Sequence, residues 1–517
     1  VKKRTKISIS LLIGLFFFII FFSTVPLFHS QKTRTETETE SAQDGYRAAY
    51  HFTVPDKWMN DPQRPIYLDG KYHYYYLYNK DYPDGNGTEW RHATSSDLIH
   101  WTDEGVAIPK YTTPNGDPWS GSAVVDHENT AGFGYGAVIA IVTQPSTDGG
   151  KQKQYMWYST DQGKTFQFYN SNPIMENWGT DFRDPKIIWD HEAKKWVMTL
   201  AEGQKVGFYE SNDLKSWRYM SGFMTHDIGL IECPDLYVLR ADDGSYKWIL
   251  GVSANGKAKG KPNTYAYWTG HFDGQQFKAD DGEPQWLDYG FDWYAGVTFE
   301  EGPSDDKFGR RYAIAWMNNW DYAHNTPALS DGFNGTNSIV RSIELKRKGN
   351  GYSLVSQPTE NLDKLIKHTD TINKLEVTDD TTLDIKGDTY QLEADVSWDQ
   401  IKNVGIRLRE SKDKTRHIDL GIFVAGHVSY LNRTFTANPD HSKRFQESKA
   451  PFDKDKKYAH LKVLVDKTTV EVFIDDGQAA FSSEVFPNLD DKGITLFAEG
   501  GTATFENIQV KHFNSIY

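Results

Sequence analysis

At 517 residues the chain is too long for one ordinary core, so at least two domains are expected. Its 14% aromatic content and 42 glycines suit short strands, tight turns and stacking surfaces better than helical bundles. A net charge of −14 without a basic run after residue 6 argues against nucleic acid as a partner, and a single cysteine excludes an intramolecular disulfide or a cysteine-based metal cluster. No Walker loop, HExxH or dinucleotide fingerprint is present, which removes support for phosphate, zincin and dinucleotide chemistry.

The chain opens with Lys2, Lys3, Arg4 and Lys6, followed by an apolar run from Ile7 to Phe22. A basic start before an apolar block reads as an export signal, and the block nears the ~20 residues of a membrane-spanning helix. Residues 1–28 are therefore expected to be a signal peptide or an N-terminal membrane anchor, with the rest of the protein outside the cell. Residues 29–44 are polar, repetitive and without apolar periodicity, and read as a solvated linker.

From residue 45 to 348 short aromatic strands alternate with turns rich in Gly, Asp, Asn and Pro. A weak repeat runs through them. Ser95-Ser96-Asp97-Leu98 resembles Ser159-Thr160-Asp161-Gln162 and Ser211-Asn212-Asp213-Leu214, with a looser copy at Asp273-Gly274. A period of roughly 50–60 residues in an all-β chain predicts propeller blades, about five of them. Equivalent points of successive blades ring one axis. Counting on by about twenty residues from each repeat aspartate predicts that Asp61, Ser120, Asp184, Glu232 and Asp292 converge at one end of the channel. Residues 349–378 read as a linker. Alternating strands over 379–517 predict a C-terminal β-sandwich, so the fold class is all-β, a five-bladed propeller followed by a sandwich.

Three acidic motifs carry the chemistry. Asp61 lies in Trp58-Met59-Asn60-Asp61-Pro62, where Pro62 removes a ladder N–H and biases Asp61 toward extended backbone. Asp184 lies in Phe182-Arg183-Asp184-Pro185, beside the planar donor fork of Arg183. Glu232 lies in Ile231-Glu232-Cys233-Pro234, where apolar burial is expected to raise its pKa and suit it as a general acid. Asp61, among amide and backbone donors, is expected to stay ionised. Two carboxylates in divergent environments are the signature of glycoside cleavage. Taken singly, the same motifs also read as an Asp-Pro turn, a local salt bridge and a capped strand end. Cys233 reads as a buried structural thiol, and His73, His92 and His100 as core histidines. No metal site is expected.

The ordered series Trp58–Pro62, Trp90-Arg91-His92-Ala93, Trp119-Ser120-Gly121-Ser122, Phe182–Pro185, Glu232-Cys233-Pro234-Asp235, Asp292-Trp293-Tyr294-Ala295 and Ala315-Trp316-Met317-Asn318-Asn319-Trp320 resembles glycoside hydrolase family 32, the invertases, inulinases and levanases. The resemblance covers nearly everything after residue 45 and implies a five-bladed propeller followed by a sandwich. It further implies a retaining mechanism with Asp61 as nucleophile, Glu232 as acid/base and Asp184 as transition-state stabiliser. Asn60, Trp90, Trp119, Ser120, Arg183, Asp292 and Trp316 are the substrate-binding candidates. No cofactor is implied. The substrate would be a fructan such as levan, or a fructo-oligosaccharide, handled by a monomer. The chain departs from the family at Gln63-Arg64, at Leu77 where an amide is usual, and at Arg91. A lost amide removes a hydroxyl contact and weighs against sucrose. The chain looks most like members that release levanbiose from β-2,6-fructan. The alternatives are an invertase or inulinase, or a non-catalytic fructan-binding protein.

Overall fold

Strand Lys71–Asn79 shows how the propeller assembles. Tyr72, Tyr74, Tyr76 and Tyr78 point one way, Tyr75 and Leu77 the other, because successive side chains of a strand face opposite sides. The even set packs against Val297, Phe299, Tyr312 and Ile314, and the odd set against Ala123, Val138, Ala140 and Trp157. A strand apolar on both faces must lie between two other sheets, and this one does.

The computed structural model describes residues 45–84, 87–147, 150–177, 179–304, 306–442 and 445–517. The expected signal or anchor segment 1–28 and linker 29–44 lie outside the described residues. Among those described, no helix is long and apolar enough to cross a membrane, and the helical elements are short 3-10 turns.

Five four-stranded antiparallel blades follow in chain order. Their innermost strands are Lys57–Leu68, Gly121–Asp126, Arg183–Asp190, Ile231–Arg240 and Tyr294–Glu300. Each contacts the next, and the fifth contacts the first, so the ring closes on itself. One apolar cluster fills each gap between blades. At the seam, Phe333–Asn334 runs parallel to Lys57–Trp58 and Thr53 bridges to Thr336.

The sequence repeat is a turn between the third and fourth strands of a blade. Oδ1 of Asp97 accepts from the backbone N–H of Ile99 and His100, and Oδ1 of Asp213 from Lys215 and Ser216. The next residue lies in the left-handed region in each copy: Leu98, Gln162, Leu214 and Gly274. The fifth blade lacks the motif because its outer strands meet in a tight hairpin, Lys348 opposite Gly351, with Gly349 at positive φ.

Two six-stranded sheets form the C-terminal sandwich around an aliphatic core. The expected linker 349–378 is a correction. Gly351–Pro358 is the outermost strand of the fifth blade, Glu360–Leu365 is a 3-10 turn, and Ile366–Val377 pairs with Ala503–Phe513 in the sandwich. Ile366–Val377 is an edge strand, mostly exposed, so its sequence is polar without apolar alternation.

The sandwich is bolted to the propeller by buried charge. Arg341 of the fifth blade pairs with Asp288 at 2.8 Å and with Glu471 of the sandwich. Glu471 also meets Nε2 of His51 at 3.0 Å, while Asp466 meets Nδ1 of the same ring at 2.9 Å. Burial opposes the charged imidazole, but the two carboxylates outweigh it and push His51 up to about 9 from 6.5. A group whose folded pKa is raised contributes stability that is complete below its unfolded pKa and is lost as pH rises through the folded one. Urea unfolding should therefore show the protein losing about 3 kcal/mol between roughly pH 6.5 and 9 through this group. His51→Gln should flatten that slope, and a wild-type profile already flat over the window would contradict the ion pair.

Candidate active site

Four of the five innermost strands carry a β-bulge near their start: between Met59 and Pro62, opposite Leu200 around Asp184, between Glu232 and Asp235, and between Tyr294 and Val297. A bulge sets two residues against one and re-aims a side chain. Pro62, Pro185 and Pro234 sit at three of them, where no ladder N–H is required. Asp184, Cys233 and Ala295 hold φ values of 61°, 47° and 51°, conformations costly for residues with a Cβ. The motif prolines and the strained backbone are thus one device, repeated around the ring.

The bulges bring the acids together. The Cys233 thiol lies 3.7 Å from Asp61 Oδ2 and 3.7 Å from Asp184 Oδ2, and the Cys233 backbone N–H donates to Asp184 Oδ2 at 3.0 Å. Ser120 Oγ donates to Asp61 Oδ2 at 2.7 Å, and Asn60 Nδ2 to Asp61 Oδ1 at 3.1 Å. Trp58 Nε1 in turn orients Asn60 Oδ1 at 2.9 Å. Glu232 receives Arg183 Nε at 3.1 Å on one oxygen and the Tyr294 hydroxyl on the other. Asp181, at 2.7 Å, and Gln152 hold the far side of the Arg183 guanidinium.

Charge crowding shows in the titration. Burial pushes Asp61 up and the charge of Glu232 adds to it, against hydrogen bonds from Ser120, Asn60 and Cys233. Burial holds Asp184 well above the usual carboxylate range; the pull of Arg183 opposes it, and Glu232 and Asp61 push further. Asp61 and Asp184 therefore each hold a proton more readily than a free carboxylate does. The environments differ from the sequence expectation. Asp61, like Asp184, is pushed up by burial, whereas Glu232 is held by a guanidinium and a phenol rather than by an apolar wall.

Of the sequence candidates, Asn60, Asp61, Ser120, Arg183, Asp184 and Glu232 form this cluster. Trp316 joins it through an aromatic wall with Trp58, Tyr294 and Cys233, and its Nε1 is buried without a hydrogen-bond partner. Trp90 is fully buried and spends its indole N–H on the Trp119 carbonyl at 2.8 Å, so it supports the partly exposed Trp119 from behind. Asp292 is a correction. It is buried under the sandwich, bonded to Arg433 at 2.6 Å, to the Glu484 N–H at 2.8 Å and to Tyr322. The interval from repeat aspartate to cluster residue varies from blade to blade, so counting on from Asp273 misses the cluster by two residues. Tyr294, two residues on, is the residue that reaches the cluster.

Further contributors lie outside the predicted site residues. Gln63 donates to the Asp61 carbonyl and to Ser120 Oγ, and accepts from the Gly121 N–H at 2.8 Å. Gly121 must be glycine, since a Cβ would lie 2.0 Å from the Ile141 carbonyl oxygen. Thr143 takes the Asp184 N–H at 3.1 Å, and Asn255 donates to the Tyr294 hydroxyl at 2.9 Å. Tyr294 was legible in its motif; Thr143 and Asn255 sit in strands and loops with no local signal.

Known proteins resemble the chain throughout. Residues 51–358 match the sequence profile described as "Glycosyl hydrolases family 32 N-terminal domain", and residues 360–512 match "Glycosyl hydrolases family 32 C terminal". The chain is 63% identical over 490 residues to a "Levanbiose-producing levanase" of Bacillus subtilis (strain 168), covering 95% of this chain and 94% of that one. A protein of the same name from Geobacillus stearothermophilus is 64% identical over 394 residues, 76% of this chain and all of that one. Among solved structures, exo-inulinase from Aspergillus awamori superposes with a TM-score of 0.81 at 28% identity, over 91% of this chain and 99% of its own.

Burial and the surrounding carboxylates push the Cys233 thiol well above its ordinary value. A thiol kept protonated and covered is a poor nucleophile. Folded protein should therefore leave Ellman's reagent almost unreacted at pH 8 and consume one equivalent only when unfolded. Fast stoichiometric labelling of the folded protein would contradict this placement.

Proposed function

This chain belongs to glycosyl hydrolase family 32 and is a glycoside hydrolase, and from that premise we propose that it cleaves the β-2,6-fructosidic bonds of levan with retention of configuration, releasing levanbiose outside the cell. The observation that carries the reading is the carboxylate cluster of Asp61, Asp184 and Glu232, in a chain whose relatives bear the name levanbiose-producing levanase.

Retaining cleavage needs one group to protonate the leaving oxygen and another to capture the sugar. Glu232, oriented by Arg183 and Tyr294, delivers the proton. Asp61, aimed by Ser120 and Asn60, attacks the anomeric C2 of the fructosyl unit. Positive charge developing at that carbon favours the ionised form of Asp61, which burial disfavours in the free protein. Asp184 accepts from fructosyl hydroxyls. Water then releases the sugar, with Glu232 as base.

The preference for levan is supported by the relatives named levanbiose-producing levanase. Leu77 is buried in the gap between the first two blades, and the Gln63 amide is already spent on Asp61, Ser120 and Gly121. Export rests on the basic and apolar character of residues 1–28, through which the protein would meet the membrane.

Purified protein incubated with levan, inulin and sucrose should yield difructose from levan as the first product and little from sucrose. Glu232→Gln should slow the reaction by about 10²–10⁴. Rapid sucrose cleavage, or free fructose from the outset, would overturn the specificity. Equal, negligible turnover by both proteins would leave a fructan-binding module in its place.

A further inference from the structure

The sandwich carries a cluster of metal-ligating side chains away from the carboxylates of the propeller. His368 and His512 are direct cross-strand partners on Ile366–Val377 and Ala503–Phe513, next to an irregularity in register between Ile366 and His368. Asp370 follows His368 by two residues and so projects from the same face. Its Oδ2 lies 3.0 Å from His512 Nε2 and 3.7 Å from His368 Nε2, and donor atoms of all three residues lie within 4.8 Å of one another. Ligands about 2.0–2.1 Å from a common tetrahedral centre stand about 3.4 Å apart, so donor atoms that lie within 4.8 Å of one another need to close by no more than about 1.4 Å.

The three groups differ usefully in freedom. The His512 ring is mostly covered and leans on Gly387, where a Cβ would come within 3.2 Å of it. His368 and Asp370 are 54% and 44% exposed, which leaves them free to adjust and leaves an open side for water. The histidine rings stack 4.2 Å apart at 9°, placing both on one side of the strand pair.

We propose that His368, Asp370 and His512 form a surface site for a divalent first-row transition metal, best matched to Zn²⁺, that clips the edge strand opening the sandwich to the strand that closes it. Two imidazoles and one carboxylate suit Zn²⁺, Ni²⁺ or Cu²⁺ and not the oxygen-only preference of Ca²⁺ or Mg²⁺.

The test is calorimetric titration of the full, chelator-treated chain with ZnCl₂, alongside thermal unfolding with and without Zn²⁺. One equivalent should bind, and the unfolding midpoint should rise with Zn²⁺ concentration. His368→Ala and Asp370→Asn, both at exposed positions, should each weaken binding at least tenfold and abolish the midpoint shift, while levan cleavage without Zn²⁺ stays unchanged. CaCl₂ and MgCl₂ should give neither signal. No uptake of Zn²⁺, or uptake that both variants leave intact, would overturn the site.

Discussion

Three carboxylates gathered around one buried thiol repel one another, and the rest of the propeller is the means by which they stay there. Arg183 meets Glu232, Ser120 and Asn60 donate to Asp61, and a backbone N–H meets Asp184. These donors work only if the strands bearing them cannot relax outward. The bulges store local strain at Asp184, Cys233 and Ala295, and a relaxed bulge would turn the acids away from the axis. What prevents relaxation is packing: an apolar cluster in every gap between blades, with the tyrosine strand of the first blade filling the gap on each side of it.

The sandwich contributes to the same constraint. Asp288 and Asp292 lie just before the innermost strand of the fifth blade, and both are held by buried arginines. Arg433 comes from the sandwich, and Arg341 reaches across to Glu471. Because the fifth blade closes the ring against the first, fixing its entry fixes the position of Tyr294 against Glu232. Removing one partner of such a buried pair leaves an uncompensated charge, which is why these contacts resist substitution more than surface pairs do. The sandwich thereby supports the cluster without contributing a residue to it.

Much of this was legible from the residues. The Asp97, Asp161 and Asp213 repeat marked the blades because a carboxylate capping two backbone N–H groups leaves a local signature. Asp61, Asp184 and Glu232 were legible because each lies one or two residues before a proline, which a bulge tolerates where a regular ladder would not. Asp292 was misassigned because the interval between repeat aspartate and cluster differs from blade to blade, and in the fifth it falls two residues further on, at Tyr294. The strand Ile366–Val377 was hidden because an exposed edge strand needs no apolar alternation. The environments of Asp61 and Glu232 came out differently from expectation because flanking residues do not report what arrives from another blade; Arg183 and Tyr294 are distant in sequence from Glu232.

The central claim is the division of labour between Glu232 and Asp61, and azide rescue tests it most directly. Glu232→Ala should be nearly inactive on levan but, with a nitrophenyl fructoside whose phenolate leaves without a general acid, should regain turnover in sodium azide, giving a fructosyl azide that retains the configuration of the substrate, since azide attacks an enzyme-bound intermediate without needing a general base. Asp61→Ala should give no retained azide product. Rescue of Asp61→Ala with retention, or of Glu232→Ala with inversion, would contradict the assignment.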